Sequence, residues 1–196
     1  MTKIDLELIQ QLRECSGSGM MDCKKALIES NGDMEKAMEI LRKRGAAIAE
    51  KRAGNATREG LIHAYIHPGS KLGVLVELNC ETDFVARTDD MKKFAQDIGM
   101  HIAALKPKYV SPEDVDAAFM EKERNFFREQ LKEQKKPENM IDKIVEGKME
   151  KLFQEVCLLK QKFVKDDSLT VEQCLQGLIA KLGEKIKINR FVRFEI

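Results

Sequence analysis

An excess of charge of either sign is missing from this chain: 34 lysines and arginines stand against 33 aspartates and glutamates over 196 residues. The overall field therefore gives no reason to expect nucleic acid or an anionic membrane as the main partner, and any basic signal must be local. Long apolar runs are missing too. No stretch approaches the roughly 20 residues a membrane span needs, and the opening MTKIDLELIQ lacks the apolar core of a signal peptide. The expectation is a cytoplasmic protein with no membrane contact. No C-x-x-C pair occurs among the five cysteines at 15, 23, 80, 157 and 174, a spacing that suits reduced, partly buried thiols. His63 and His67 are four apart in a strand-like segment, where a rise of about 3.3 Å per residue separates them by about 13 Å, too far to share a metal ion. Neither metal nor cofactor is expected. Also absent are a phosphate loop, a dinucleotide fingerprint and a serine set in a nucleophile elbow. The two glycines of SGSGMMD follow a helical pattern rather than a strand, so an interhelical turn is favoured over a phosphate cradle.

What is present divides by period. Domains cluster at roughly 100 to 150 residues, so this length allows one ordinary domain and a small second module. Ile4, Leu8, Ile9 and Leu12 share one helical face over residues 3–13, and SGSG at 16–19 interrupts it. The pattern resumes from Met21 through Ala26, Leu27 and Ile28, stops at Asn31-Gly32, and restarts behind Asp33, a good N-cap for Met34, Ala37, Met38 and Leu41. Gly45 is expected to end this third helix. The alanine-rich, charged run AAIAEKRAGNATREG resembles a partly helical connector.

Beyond it the period falls to two. Ile62, Ala64 and Ile66 alternate with His63, Tyr65 and His67, then Pro68-Gly69-Ser70 turns the chain into a second strand with Leu72, Val74, Val76 and Leu78 at alternate positions. The final KIKINRFVRFEI repeats the pattern with Ile186, Ile188, Val192, Phe194 and Ile196 on even numbers. Between these strands the chain reads as helical. Thr88 caps a stripe of Met91, Phe94, Ala95, Ile98, Ile102 and Leu105; Ser111-Pro112 and Lys136-Pro137 mark further helix starts; Val171, Leu175, Leu178, Ile179 and Leu182 precede Gly183. The class is α+β: an antiparallel sheet of at least three strands whose apolar side needs helices on one face.

Few residues suggest chemistry. Cys80 stands beside Glu81 and Asp83, but no histidine adjoins it and carboxylates raise a thiol's pKa, so a thiol enzyme is disfavoured. Met20 and Met21 cannot both face inward on a short helix, which leaves at least one as an adaptable surface contact. Arg13, Lys24 and Lys25 would frame it with charge. The run Arg42, Lys43, Arg44, Lys51, Arg52 lacks interleaved aromatics and has Glu50 beside it, so a solvated helical face is favoured over a nucleic-acid patch. In ELNCETDFVAR a buried-type strand ends on an acid-hydroxyl-acid-aromatic cluster instead of small turn formers. Phe84 either folds back onto its own core or serves an interface, where large aromatics are enriched.

LRECSGSGMMDCKKAL at 12–27 and ELNCETDFVAR at 77–87 resemble the two signature motifs of the bacterial elongation factor Ts family, and the similarity runs on to FVRFEI. Ser16 and Ser18 stand where threonine and alanine are frequent, small-for-small exchanges in a turn. The resemblance implies a guanine-nucleotide exchange factor for the GTPase elongation factor Tu, an adaptor of protein–protein contact and not an enzyme. It implies three parts: a UBA-like three-helix domain at 1–45, a helical linker at 46–59, and an α+β exchange and dimerisation domain at 60–196. By carry-over, Arg13, Met20, Met21 and Lys24 dock on the partner's nucleotide-binding domain, while Thr82, Asp83, Phe84 and Val85 disturb its magnesium and phosphate site. His67 matches a further partner contact. Longer family members hold two copies of the sheet unit, and this chain shows one, so a homodimer giving a 2:2 complex is expected, with the open sheet edge as its physical motive. Two rivals would read differently: an adaptor built on the first bundle leaves TDFV idle, and a thiol enzyme needs Cys80.

Overall fold

The computed structural model describes residues 4–196; the first three residues, which the expected first helix and first domain include in part, lie outside the described residues. Helix α1 (Leu6–Ser16) buries Ile9 and Leu12 and closes on Gly17, whose φ of 65° is one a side-chain-bearing residue rarely adopts and whose N–H donates to Arg13 O. Helix α2 (Met20–Glu29) buries Cys23, Ala26 and Leu27. Asn31 and Gly32, both with positive φ, turn the chain, and the Asp33 carboxylate accepts the Lys36 N–H at 3.0 Å to start α3 (Met34–Arg52). Together with Ala37 and Leu41 these side chains form an apolar cluster of their own.

Gly45 does not end α3. The helix runs on to Arg52, so the first part of the expected linker is its continuation, as the alanine-rich composition permits. Gly45 is instead buried against the last long helix, where an added Cβ would sit 3.5 Å from Gln176 O and 3.6 Å from Ala180 Cβ. The glycine marks a helix crossing rather than a stop.

Strands β1 (Glu59–Ile66) and β2 (Leu72–Cys80) form an antiparallel hairpin, and the single turn α4 (Asp83–Ala86) leads into α5 (Asp89–Leu105). Thr88 caps α5 as expected, accepting the Met91 N–H. Ser111-Pro112 opens only a 3₁₀ turn; α6 (Ala117–Glu133) starts after Asp116, whose side chain accepts from Ala118 and Phe119. Helix α7 (Glu138–Val156) follows Pro137 and packs on α6 through Leu131, Ile141, Val145 and Met149, a cluster separate from the main core. Next comes a small hairpin that sequence periodicity did not reveal, β3 (Lys162–Phe163) with β4 (Asp166–Thr170). Two residues are too few to show alternation. Helix α8 (Val171–Leu182) then leads to β5 (Ile186–Glu195), which pairs antiparallel with β2 and gives the order β1-β2-β5.

One face of this sheet carries Val74, Val76, Leu78, Ile186 and Ile188 into the core. They meet the stripes of α5 (Met91, Phe94, Ile98, Ile102) and of α8 (Val171, Leu175, Leu178, Ile179). Helix α5 lies close over β1, since a Cβ on Gly99 would approach Tyr65 Cβ to 2.8 Å.

Strand β1 keeps its alternation and turns the Ile62, Ala64 and Ile66 side outward, whereas β5 breaks the expected alternation. In β1 the buried residue is Tyr65, while Ile62 and Ile66 are exposed on the opposite face. In β5 the pairing shifts at Glu77/Leu78, where Ile188 and Arg190 oppose successive residues and Asn189 is extra. This bulge reverses the phase. Phe191 turns toward the core, and Arg193 donates to Ala103 O from Nε (3.3 Å) and Nη2 (3.2 Å), while Val192 and Phe194 face out. The outer face is thus apolar, with Ile62, Ile66, Leu75, Val192 and Phe194 all exposed. The register sets Leu75 beside Val192, Gly73 beside Phe194, and Glu77 beside Arg190.

Candidate partner-binding site

The core strand β2 ends at Cys80, a buried thiol whose sulfur lies 3.1 Å from Thr82 O. Burial, and secondarily the Glu184 carboxylate, raise its pKa. A thiol held neutral, without a base, is no nucleophile. The chain then turns into α4, where Val85 and Ala86 are buried and anchor the turn to the main core. Thr88 Oγ1 donates to Val85 O at 2.8 Å and fastens its far end. Phe84 lies between these anchored points and is 81% exposed. Asp83 pairs with Arg87 at 2.9 Å, a full turn along. The structure thus separates the four residues of TDFV. Phe84 and the half-exposed Asp83 are presented outward, Val85 is an anchor, and the Thr82 side chain is turned toward residue 184.

Two carboxylates cross-brace the approach. Glu81 accepts the Lys185 N–H at 2.6 Å, Asn55 Nδ2 at 2.9 Å and Arg52 Nη1 at 3.3 Å. The Lys185 backbone donor, then Asn55, hold its carboxyl below the usual range. In the opposite sense Glu184 accepts the Thr82 N–H at 3.0 Å and its hydroxyl at 2.7 Å. Lys185 Nζ also reaches Ala53 O and Asn55 O, closing the link to the end of α3. None of these partners of Glu81 and Glu184 was anticipated from the sequence. They come from residues up to 104 positions away, and no short-range pattern carries such a pairing.

On the bundle, Met20, Met21, Lys24 and Arg13 are all exposed. Met20 and Met21 lie four and three residues before Lys24 on α2, so the three share a helix face; Arg13 sits in the last turn of α1, across the glycine turn. His67 is exposed at the β1–β2 turn, with Nδ1 3.0 Å from Tyr65 Oη. The basic run is partly neutralised: Arg44 pairs with Glu29 (2.6 Å), Lys43 with Glu39 (2.7 Å) and Arg52 with Glu81. Among the described residues no group of three histidine, cysteine or acidic side chains is disposed to hold a metal ion.

The chain that bears this exposed aromatic on a braced turn is similar in sequence to translation elongation factors. The chain belongs to the elongation factor Ts family: the family model, described as Elongation factor TS, matches residues 7–196. It is 55% identical over 194 residues to elongation factor Ts of Fervidobacterium nodosum, covering 99% of this chain and 98% of that protein. Elongation factor Ts of Carboxydothermus hydrogenoformans is 56% identical over 193 residues, with 98% and 89% covered. That of Thermotoga maritima is 55% identical over 194 residues, with 99% and 96% covered.

Proposed function

We propose that this chain is a guanine-nucleotide exchange factor that binds the GDP form of the GTPase elongation factor Tu and speeds GDP release by disturbing the partner's magnesium and phosphate site. The observation that carries the reading is Phe84, a large ring standing 81% exposed on a turn whose neighbours are anchored. A ring left in water at such a place costs hydration free energy that a docking partner recovers. Magnesium demands near-octahedral geometry, so small displacements of its surroundings weaken its hold on a nucleotide's phosphates. Asp83 brings an acceptor to the same network. No bond is made or broken, which is why no catalytic constellation is required.

Magnitudes decide how the work is shared. Burying one Phe side chain is worth roughly 1.5–3 kcal/mol, whereas moving an equilibrium from 1:99 to 99:1 takes about 5.5 kcal/mol of differential affinity. Phe84 is therefore one contributor. Met20 and Met21 supply adaptable apolar contact on the bundle, with Arg13 and Lys24 as charged flanks and His67 as an outlying contact. Reciprocity requires that GDP or GTP binding to the partner weakens its grip on this factor.

A homodimer completes the proposal, with a 2:2 complex as the working form in the cytoplasm. The apolar outer face of the sheet supports it more strongly than the open edge does, since Ile62, Leu75 and Phe194 are exposed together there. Among the described residues no helix is long and apolar enough to cross a membrane, and the mixed charge of the chain favours neither membrane nor nucleic acid as a partner. Stopped-flow release of a fluorescent GDP from elongation factor Tu tests the exchange reading; a well-folded chain that leaves the spontaneous rate unchanged would overturn it.

A further inference from the structure

Thr82 occupies the N-cap of α4, where a threonine oxygen normally accepts an N–H from the first helical turn. Here it makes no such bond. Its hydroxyl donates to Glu184 at 2.7 Å, and its backbone N–H donates to the other oxygen of the same carboxylate at 3.0 Å. The mirror-image contact runs the other way, from the Lys185 N–H to Glu81 at 2.6 Å. Residues 81–82 and 184–185 are thus cross-linked by two carboxylates, each accepting from the segment that carries the other. Glu81 also gathers Arg52 and Asn55, so the same brace ties the end of α3 to the turn bearing Phe84.

We propose that Glu184 is a positioning residue for exchange: by drawing the Thr82 hydroxyl and N–H onto one carboxylate, it orients the turn that presents Phe84, while Glu81 fixes that turn relative to α3 and the helical bundle. This rests on the exchange function proposed above. A one-turn helix has almost no intrinsic stability, because nucleation is unfavourable and too few internal bonds follow it. Its orientation must therefore come from outside. Val85 and Ala86 anchor its apolar side, but apolar contact is non-directional. A bidentate, charge-assisted pair supplies the direction. The Glu184 oxygens bond Thr82 and neither Asp83 nor Phe84, so the effect of Glu184 on exchange is indirect.

The test compares Glu184→Ala, Glu184→Gln and Thr82→Val in the full chain. First, hydrogen exchange of the amides of residues 82–87 is measured in the free protein. Glu184→Ala should raise their exchange rates about tenfold or more, the scale of losing a hydrogen bond to a charged group, whereas Glu184→Gln, whose amide can still accept the Thr82 N–H and bond its oxygen, should stay near wild type. Second, GDP release is followed against factor concentration. Glu184→Ala should lower the rate at saturation by a similar factor and move the half-saturating concentration far less, because the docking residues of the bundle are untouched. Thr82→Val should show part of the defect, and the double variant should be no worse than Glu184→Ala alone. Unchanged protection of residues 82–87 in Glu184→Ala overturns the proposal without involving the partner. A loosened turn with an unchanged saturating rate also overturns it, provided Phe84→Ala is impaired in the same assay. If Phe84→Ala is unimpaired, the exchange reading itself fails, which is a distinct result.

Discussion

At the scale of single residues, Phe84 is a test of function rather than of stability. Its side chain is mostly in water, so Phe84→Ala should alter folding by no more than about 0.5 kcal/mol, the usual range for surface substitutions, while stimulated GDP release falls by roughly tenfold or more, the consequence of removing about 1.5–3 kcal/mol of recoverable burial. Urea unfolding and stopped-flow release, measured on the same preparation, separate the two. Cys80→Ala should leave release unaffected, since the thiol is buried and held neutral. His101 illustrates the opposite case. It is fully buried, its Nδ1 accepts the Val164 N–H at 3.2 Å, its Nε2 lies 2.9 Å from Gln161 Oε1, and the ring stacks on Phe163. Burial depresses its pKa below the ordinary 6.5. The unfolded chain therefore takes up this proton before the folded one does. The resulting stability is fully present above the unfolded pKa and is lost as pH falls below it, at up to about 1.4 kcal/mol per pH unit. Unfolding midpoints at pH 7.5 and 5.5 should differ less in His101→Gln than in the wild type.

At the scale of elements, the bulge in β5 decides which aromatic is structural. Phe191 packs toward the core and Phe194 is 65% exposed. Phe191→Ala should cost about 2–4 kcal/mol, as large-to-small core changes do, and Phe194→Ala well under half of that when the chain is dilute; equal costs in urea titrations would contradict the register. Even-number alternation alone would have ranked these two the other way. It correctly groups Ile186 with Ile188, but a single extra residue at Asn189 exchanges the faces beyond it. In β1, alternation identifies Ile62, Ala64 and Ile66 as one face without saying whether that face meets α5. The periodic helices were easier to read. Stripes on α5 and α8 and the caps at Asp33 and Thr88 form within a few residues of chain. Gly45 misled because a glycine placed for close helix packing and one placed to end a helix look alike in sequence. Of the candidate site, an exposed methionine at 20 or 21 was legible; the residues alone left Phe84 open between core and interface, and the Glu81–Glu184 brace was not legible.

At the scale of the whole molecule, α3 joins two apolar clusters: Ala37 and Leu41 belong to the bundle's cluster, and Ala49 packs against the main core. Leu41 in the bundle's apolar cluster is eleven residues before Arg52 at the brace, about 16 Å along α3, so one continuous helix joins the bundle to the Phe84 turn and is fastened at its end by Glu81. The outer sheet face adds a third surface. Leu75 is central there, opposite Ala64 and Val192. If a second copy covers this face, wild-type chain should sediment at twice the 22.4 kDa protomer mass, and Leu75→Lys, which places an unpaired charge in the contact, should sediment as a monomer with its fold intact. Sedimentation of wild type as a monomer at micromolar concentration would remove the 2:2 assembly from the proposal.

Local composition was sufficient for the class of fold, the caps and turns of most helices and the inward face of β2, because each of these depends on residues a few positions apart. The outward faces of β1 and β5, the run of α3 past Gly45 and the brace joining residues 81–82 to 184–185 were settled by tertiary structure. Periodicity tells which side chains point together. Only the packing of distant segments tells what they point at.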